Sequence, residues 1–493
     1  MKAFFKVISL ILCAVLMLSF TACGSNDDAY IYFQLDETPY TLDPQTAKSD
    51  IELLISQNLY EGLMRFDEKG ELKCAVAESY KQQGLTYTFK IRKNAKWKDG
   101  TKLTAKDFEF AFKRALSADT DAPYASLLYC IKNAKEIHTG SAPSFDLGVK
   151  AVDEHTLKIE LIYDNPDFLE NLTLPITMPC NQAFFSTCKG KYGLDTDFTL
   201  SNGSYRLVKW GKEIFGIRLY RNKEYTGDFY AKNAAVFISY NKDLTAAETL
   251  INEDADIAFV KSSEVEELNQ KGINTLGVQN TVWFLTVSEK LPLNIRKAFT
   301  ILANSEIYAA TLTNGVSPAN SIFPPSLNTS VGASGLSAYN LETAKSLYTA
   351  AMKQMPDKKL PADIKLYYYD SGFSKNMVTT IVGHWQNHLG SFINIEAVSS
   401  PTLLETQLKS QSYYMAIFPV TVNTPSAAEY LSKFGVNYTN GNLTQIQADI
   451  LNNCTVVPLA FESKNVAYTE RLSNVIMQNG TSLDFAFIQK ADD

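Results

Sequence analysis

Apolar residues recurring at every second position alternate, along the whole chain, with apolar residues recurring at every third or fourth. Residues 29–34, 86–92, 156–161, 205–208 and 216–220 read as strands in the first half, and 364–369, 393–398 and 413–422 in the second. Between them, residues 51–60 (Ile51, Leu54, Ile55, Leu59), 104–115, 291–310, 341–352 and 376–389 carry helical spacing. Strands and helices interleaved in this way stack as layers of sheet and helix, so the class is α/β. With 493 residues, a single core is exceeded and at least two lobes are expected.

Residues 7–20 form a nearly unbroken apolar run behind Lys2 and Lys6, followed by the small residues Thr21-Ala22-Cys23-Gly24-Ser25. This order is that of a signal peptide, and the run is too short for a membrane span of about twenty residues. Phe20-Thr21-Ala22-Cys23 resembles the lipobox of bacterial lipoproteins, which implies acylation of Cys23 and removal of residues 1–22; Phe20 stands where the pattern prefers Leu. Residues 23–28 then form a short polar tether. The body of the protein is expected outside the cytoplasmic membrane, held to its outer face by lipid.

Lys+Arg 46 against Asp+Glu 53 gives a net charge of −7, which supplies no field for phosphate and excludes a nucleic-acid partner. Four histidines, two of them at i and i+4 (His384 and His388), offer no third ligand, so no metal or cofactor is expected. Beyond Cys23 the cysteines are Cys74, Cys130, Cys180, Cys188 and Cys454, an odd number that leaves at least one thiol free. Cys180 and Cys188 are about 12 Å apart along a helix, too far for a disulfide. No nucleophile motif, phosphate loop or dinucleotide fingerprint appears, so the chain reads as a non-enzyme.

Local motifs follow one another in a fixed order: Thr41-Leu42-Asp43-Pro44, Leu59-Tyr60-Glu61-Gly62-Leu63, Ala77-Glu78-Ser79-Tyr80, Ala95-Lys96-Trp97-Lys98-Asp99-Gly100, Ala122-Pro123-Tyr124-Ala125-Ser126, Asn202-Gly203-Ser204-Tyr205 and Asn294-Ile295-Arg296-Lys297-Ala298. This series resembles the family 5 extracellular solute-binding proteins, the oligopeptide and dipeptide receptors of ABC importers. The resemblance implies a two-lobed, periplasmic-binding-protein-like (type II) clamshell with an additional family-specific domain. The division it suggests is lobe I from 29–60, 166–280 and 456–493, the extra domain from 61–165, and lobe II from 281–455. It further implies a monomer that closes on an oligopeptide and docks on an ABC permease with its ATPase subunits.

Carried over residue by residue, the resemblance makes Tyr124 a ligand contact. It places Lys48, with Asp50 two residues on, where the family has an acidic ligand contact. It aligns Phe418 with the family's tryptophan, Thr421 with the aspartate that holds the peptide's amino terminus, and Asn423 beside them. With Thr421 in that place, another acid must meet an ammonium; Asp50, Asp370 and Glu37 are candidates. Failing that, the solute is not an ordinary free peptide but a nickel chelate, a glycoside or another solute carried by this broad family. A lipoprotein sensor that delivers nothing is the reading from another class. Asp43-Pro44, Trp97 and the Tyr367-Tyr368-Tyr369 run read as structural.

Overall fold

The computed structural model describes residues 29–491 apart from 36, 211–215, 241–242, 334, 337, 363, 399, 401–403, 405–412, 425, 437, 439–440 and 479–481. The signal peptide, Cys23 and the tether lie outside the described residues. Among the described residues no helix is long and apolar enough to cross a membrane.

One large mixed sheet runs through both lobes. In order across it stand Asn394–Val398, Lys365–Tyr369, Met415–Thr421, Asn274–Val287, Val456–Tyr468, Ile257–Val260, Tyr30–Leu35, Ala235–Tyr240, Ile217–Arg221 and Tyr205–Lys209. The two long central strands are antiparallel from Asn274 opposite Tyr468 to Thr286 opposite Val456, with register shifts at Gln279/Thr281 and Trp283/Phe284. At one end Val456–Tyr468 pairs with Ile257–Val260, through residues 465–468. At the other end Asn274–Val287 pairs with Met415–Thr421, through residues 281–287. The lobes therefore share these two strands, which bulge near the crossing.

Most elements lie where hydrophobic periodicity puts them. The helices Asp50–Leu59, Ala105–Ala115, Leu341–Met352 and Phe373–Leu389 are present. The span expected to be one helix over 291–310 is instead a helix at Leu293–Leu302 followed by two short 3-10 turns. The break comes where Asn304 caps the Glu306 N–H with its side chain at 3.0 Å, an alternative to continuing the helix.

A separate four-stranded antiparallel sheet (Ala77–Gln83, Thr86–Ile91, Thr156–Glu160, Val149–Asp153) is packed into the same hydrophobic core as the first lobe. Trp97 is fully buried there, and its carbonyl accepts from the Gly100 N–H at 2.9 Å, so its motif is a turn with an anchor. Tyr368 is core, while Tyr369 stacks on Trp283 (centroids 6.3 Å, planes 8° apart). The second lobe packs two cores, one on each face of its part of the sheet. The five cysteines of the described chain are thiols.

Candidate functional site

The Leu-Asp-Pro loop is built by two carboxylates. Glu52, on the first turn of helix Asp50–Leu59, accepts from the backbone N–H groups of Tyr40, Thr41, Lys48 and Ser49 at 3.0, 3.3, 2.9 and 3.1 Å. Asp43 accepts from the Gln45 N–H at 3.1 Å and is gripped by the Arg114 guanidinium, whose Nη1 lies 2.8 Å from Oδ1. Arg114 in turn lies 4.6 Å over the Phe185 ring. Two distant motifs clasp one another beside this loop. The Glu61 N–H donates to Asn202 Oδ1 (3.1 Å), and Asn202 Nδ2 donates back to the Glu61 carbonyl (2.9 Å). A Cβ on Gly203 would stand 2.8 Å from the Leu59 carbonyl oxygen, so the close approach requires glycine.

This frame fixes helix Asp50–Leu59 with Asp50 and Gln57 facing a cleft. Four other parts of the chain complete it: Tyr124, the segment Leu174-Pro175-Ile176, Asn423 at the end of strand Met415–Thr421, and Lys464 with Ser482 from the last strands. Asp50 Oδ2 accepts from Lys464 Nζ at 2.7 Å. The Asn423 amide, oriented as its hydrogen-bond surroundings require, donates to Asp50 Oδ1 at 3.3 Å and to the Val422 carbonyl at 3.2 Å. The Tyr124 hydroxyl donates to the Lys48 carbonyl at 3.4 Å. Burial pushes the Tyr124 phenol up to about 12; the carboxylates of Glu429, Asp50 and Glu52 add to this, and the Asn423 amide opposes it. The cleft is narrow: it offers about 20 Å³ here and about 40 Å³ in an adjoining compartment towards Glu61 and Arg65. Such room is on the scale of single waters.

The wall of that compartment is a buried charge network. Glu61 meets Arg92 at 2.8 Å, Arg65 at 3.8 Å and the Tyr225 hydroxyl; Arg65 also pairs with Asp484. Burial pushes the Glu61 carboxyl up, against the pull of Arg92 and Arg65.

Of the residues expected to touch a ligand, the structure brings Tyr124, Asp50 and Asn423 into one cleft. The Lys48 side chain is exposed, and only its backbone reaches the site. Phe418 packs towards Phe284 (6.3 Å between centroids), in a second-lobe core. The Thr421 hydroxyl bonds the Thr281 hydroxyl at 2.9 Å, and its carbonyl accepts from Lys433 at 2.7 Å. Neither residue lines this cleft, because Asn423 projects from beyond the strand while Thr421 stays in its ladder opposite Thr281. Glu37 and Asp370 are exposed and away from it. Sequence reasoning missed Lys464, Gln57 and Ser482. Lys464 did leave a signal: Glu462-Ser463-Lys464-Asn465 interrupts an otherwise apolar stretch over 456–468. His384 and His388 lie 4.3 Å apart between ring centroids, and His384 Nε2 is 3.0 Å from the Tyr339 hydroxyl.

A sheet shared between two lobes through a pair of crossing strands, with a cleft beside the crossing and a third antiparallel domain, defines a two-lobed solute-binding protein of the type II class. Solved structures share this fold. The Haemophilus influenzae OppA complex with RPPGFSPFR superposes with a TM-score of 0.76 at 18% identity, covering 95% of this chain and all of that one. Listeria monocytogenes OppA bound to peptide gives 0.74 at 20% identity over 94% of this chain and all of that one. Residues 71–442 match the family described as bacterial extracellular solute-binding proteins, family 5, and the chain belongs to that family. Among its relatives, the oligopeptide-binding protein OppA of Bacillus subtilis is 27% identical over 442 residues, 84% of this chain and 81% of the relative. The periplasmic oligopeptide-binding protein OppA of Salmonella typhimurium is 28% identical over 389 residues, 74% and 70% of the two chains.

Proposed function

We propose that this chain captures oligopeptides in the cleft of Asp50, Tyr124 and Asn423 and delivers them to the permease of an ABC importer. The observation that carries the reading is convergence: the first-lobe helix, the segment at Tyr124 and the second-lobe residue Asn423, just past its strand, each send a polar side chain to one cleft beside the crossing strands. A peptide bound there is gripped by both lobes at once, so binding and closure are one event. The peptide class is supported by the oligopeptide-binding relatives that align over most of this chain.

In this reading the lobes divide near 281 and 456, with 61–165 as the extra domain. The mature protein is a monomer tethered by acylated Cys23 to the outer face of the membrane, and it has no catalytic step of its own. Calorimetry of the mature chain with a pool of unmodified tri- to pentapeptides tests it. Binding that falls in Tyr124→Ala while thermal unfolding is unchanged supports the site. Failure to bind any pool, with binding of a metal chelate or glycoside instead, transfers the same role to a non-peptide solute.

A further inference from the structure

The first-lobe end of the large sheet has two faces of different character. On its strands Tyr30–Leu35, Ala235–Tyr240, Ile217–Arg221 and Tyr205–Lys209, one face sends Ile31, Phe33, Ile238 and Leu219 into the core. Register gathers other positions on the opposite face: Tyr32 beside Phe237, Phe237 beside Arg218, Tyr220 beside Arg206, and Arg218 beside Lys209 across a bulge. The aromatic rings form one layer, with Tyr30 and Phe237 5.1 Å apart between centroids, Tyr32 and Phe237 5.5 Å, and Tyr30 and Tyr220 6.5 Å. Tyr30 and Tyr32 are 44% and 43% exposed, so the layer faces water. The Arg218 guanidinium lies 4.6 Å over the Phe237 ring. These four strands carry no carboxylate, in a chain of net charge −7. Asp256, which accepts from the Tyr32 N–H at 2.9 Å, is itself buried against Lys490 and Arg471. The face is thus aromatic and basic on an acidic protein.

Where the chain enters this face decides what covers it. Ala29 begins the described residues, and its carbonyl accepts from the Ala234 N–H at 2.9 Å, next to the pairing of Tyr30 with Ala235. Cys23 stands seven residues before Tyr30, a reach of about 25 Å at full extension. An acyl anchor on Cys23 therefore holds this end of the sheet within that distance of the bilayer. Tyrosine rings, apolar in body and polar at the tip, suit the headgroup level, and basic groups are drawn to anionic lipid. We infer that this face rests on the membrane that holds acylated Cys23, with Tyr30 and Tyr32 among the headgroups and Arg206, Lys209 and Arg218 against anionic lipid. The short tether keeps the local concentration of bilayer high, so a contact that is weak for the free chain is populated in the anchored one. This inference rests on the lipid-anchored reading above and adds which surface of the protein meets the bilayer.

The test reconstitutes the mature chain, purified from membranes, into vesicles of phosphatidylcholine alone or with phosphatidylglycerol. Flotation reads the anchor, and lysine acetylation followed by mass spectrometry reads the face. Lys209 reports from the face, and Lys358 and Lys359, exposed on the second lobe, serve as controls. Lys209 is expected to be labelled about fivefold more slowly on anionic than on neutral vesicles, the discrimination that one basic group at an anionic surface supplies. The two controls are expected to label alike on both. High salt, Arg206→Glu, or Tyr30→Ser combined with Tyr32→Ser is expected to abolish the protection of Lys209 while flotation persists. Equal labelling of Lys209 on both vesicles, equal protection of Lys209 and the controls, or protection unchanged in both variants overturns the inference and leaves the anchor standing. A chain that does not float with either vesicle overturns the lipid-anchored reading, and this inference with it. Should the double tyrosine variant fail to fold, Arg206→Glu and the wild-type comparison still decide.

Discussion

Tyr124 gives the cleft a phenol whose hydroxyl donates to a backbone carbonyl at 3.4 Å and whose ring closes one wall. Tyr124→Phe removes the neutral hydrogen bonds alone and is expected to weaken peptide binding about two- to tenfold in calorimetry. Tyr124→Ala also opens the wall and is expected to cost more, with no change in the unfolding midpoint. Arg114 answers differently. Its partner Asp43 is buried with it, so Arg114→Met strands a buried carboxylate and is expected to lower unfolding free energy by about 3–5 kcal/mol in a denaturant titration. Peptide affinity of the folded fraction should fall less than in Tyr124→Ala, since neither residue lines the cleft and both act only through the frame that holds helix Asp50–Leu59. Tyr124, Asp50 and Asn423 were readable because each lies in or beside a local motif. Lys464 left only a polar interruption in an apolar stretch, and its partner was not readable, because it reaches Asp50 across 414 residues of chain and no local pattern encodes that meeting.

Helix Ala105–Ala115 shows how an element carries its own pH dependence. Thr104 stands at its N-cap, and Asp107 reaches back to accept from the Thr104 N–H at 2.7 Å and its hydroxyl at 3.0 Å. Burial nevertheless pushes the Asp107 carboxyl up to about 6, outweighing these hydrogen bonds. In the unfolded chain the proton leaves near pH 3.9, so between about pH 4 and 6 the folded state holds more protons than the unfolded one. Stability from this group therefore falls as pH rises through that window. Asp107→Asn is expected to flatten the slope over pH 4–6 in denaturant titrations and to be the more stable form at pH 7. An unchanged slope would assign the pH dependence to other groups. The same scale explains what periodicity missed. Residues 280–287 of the strand Asn274–Val287 are all buried, so Val282-Trp283-Phe284-Leu285 shows no alternation, and a continuous apolar run does not announce a strand. The strand Val456–Tyr468 is half-buried with polar residues at its centre, which hid it in the same way. The two strands that join the lobes were thus the least legible elements, while the amphipathic helices, with one face in water, were plain.

For the whole molecule, the described cleft has room only for waters, so a peptide enters only when the lobes part. Small-angle scattering is expected to give a larger radius of gyration for the ligand-free mature chain, falling as peptide is added; a radius indifferent to peptide would mean that binding does not close the lobes. Cys23→Ser is expected to move the protein from the membrane fraction to the soluble fraction, and persistent membrane attachment would mean that residues 7–20 remain as an anchor. What the cleft holds in the cell is read by native mass spectrometry of the mature chain purified from rich medium. A ladder of peptide masses, released by mild unfolding, is the result expected. A single non-peptide mass, or a bare protein that also binds no member of a peptide pool, would contradict the function proposed for this chain.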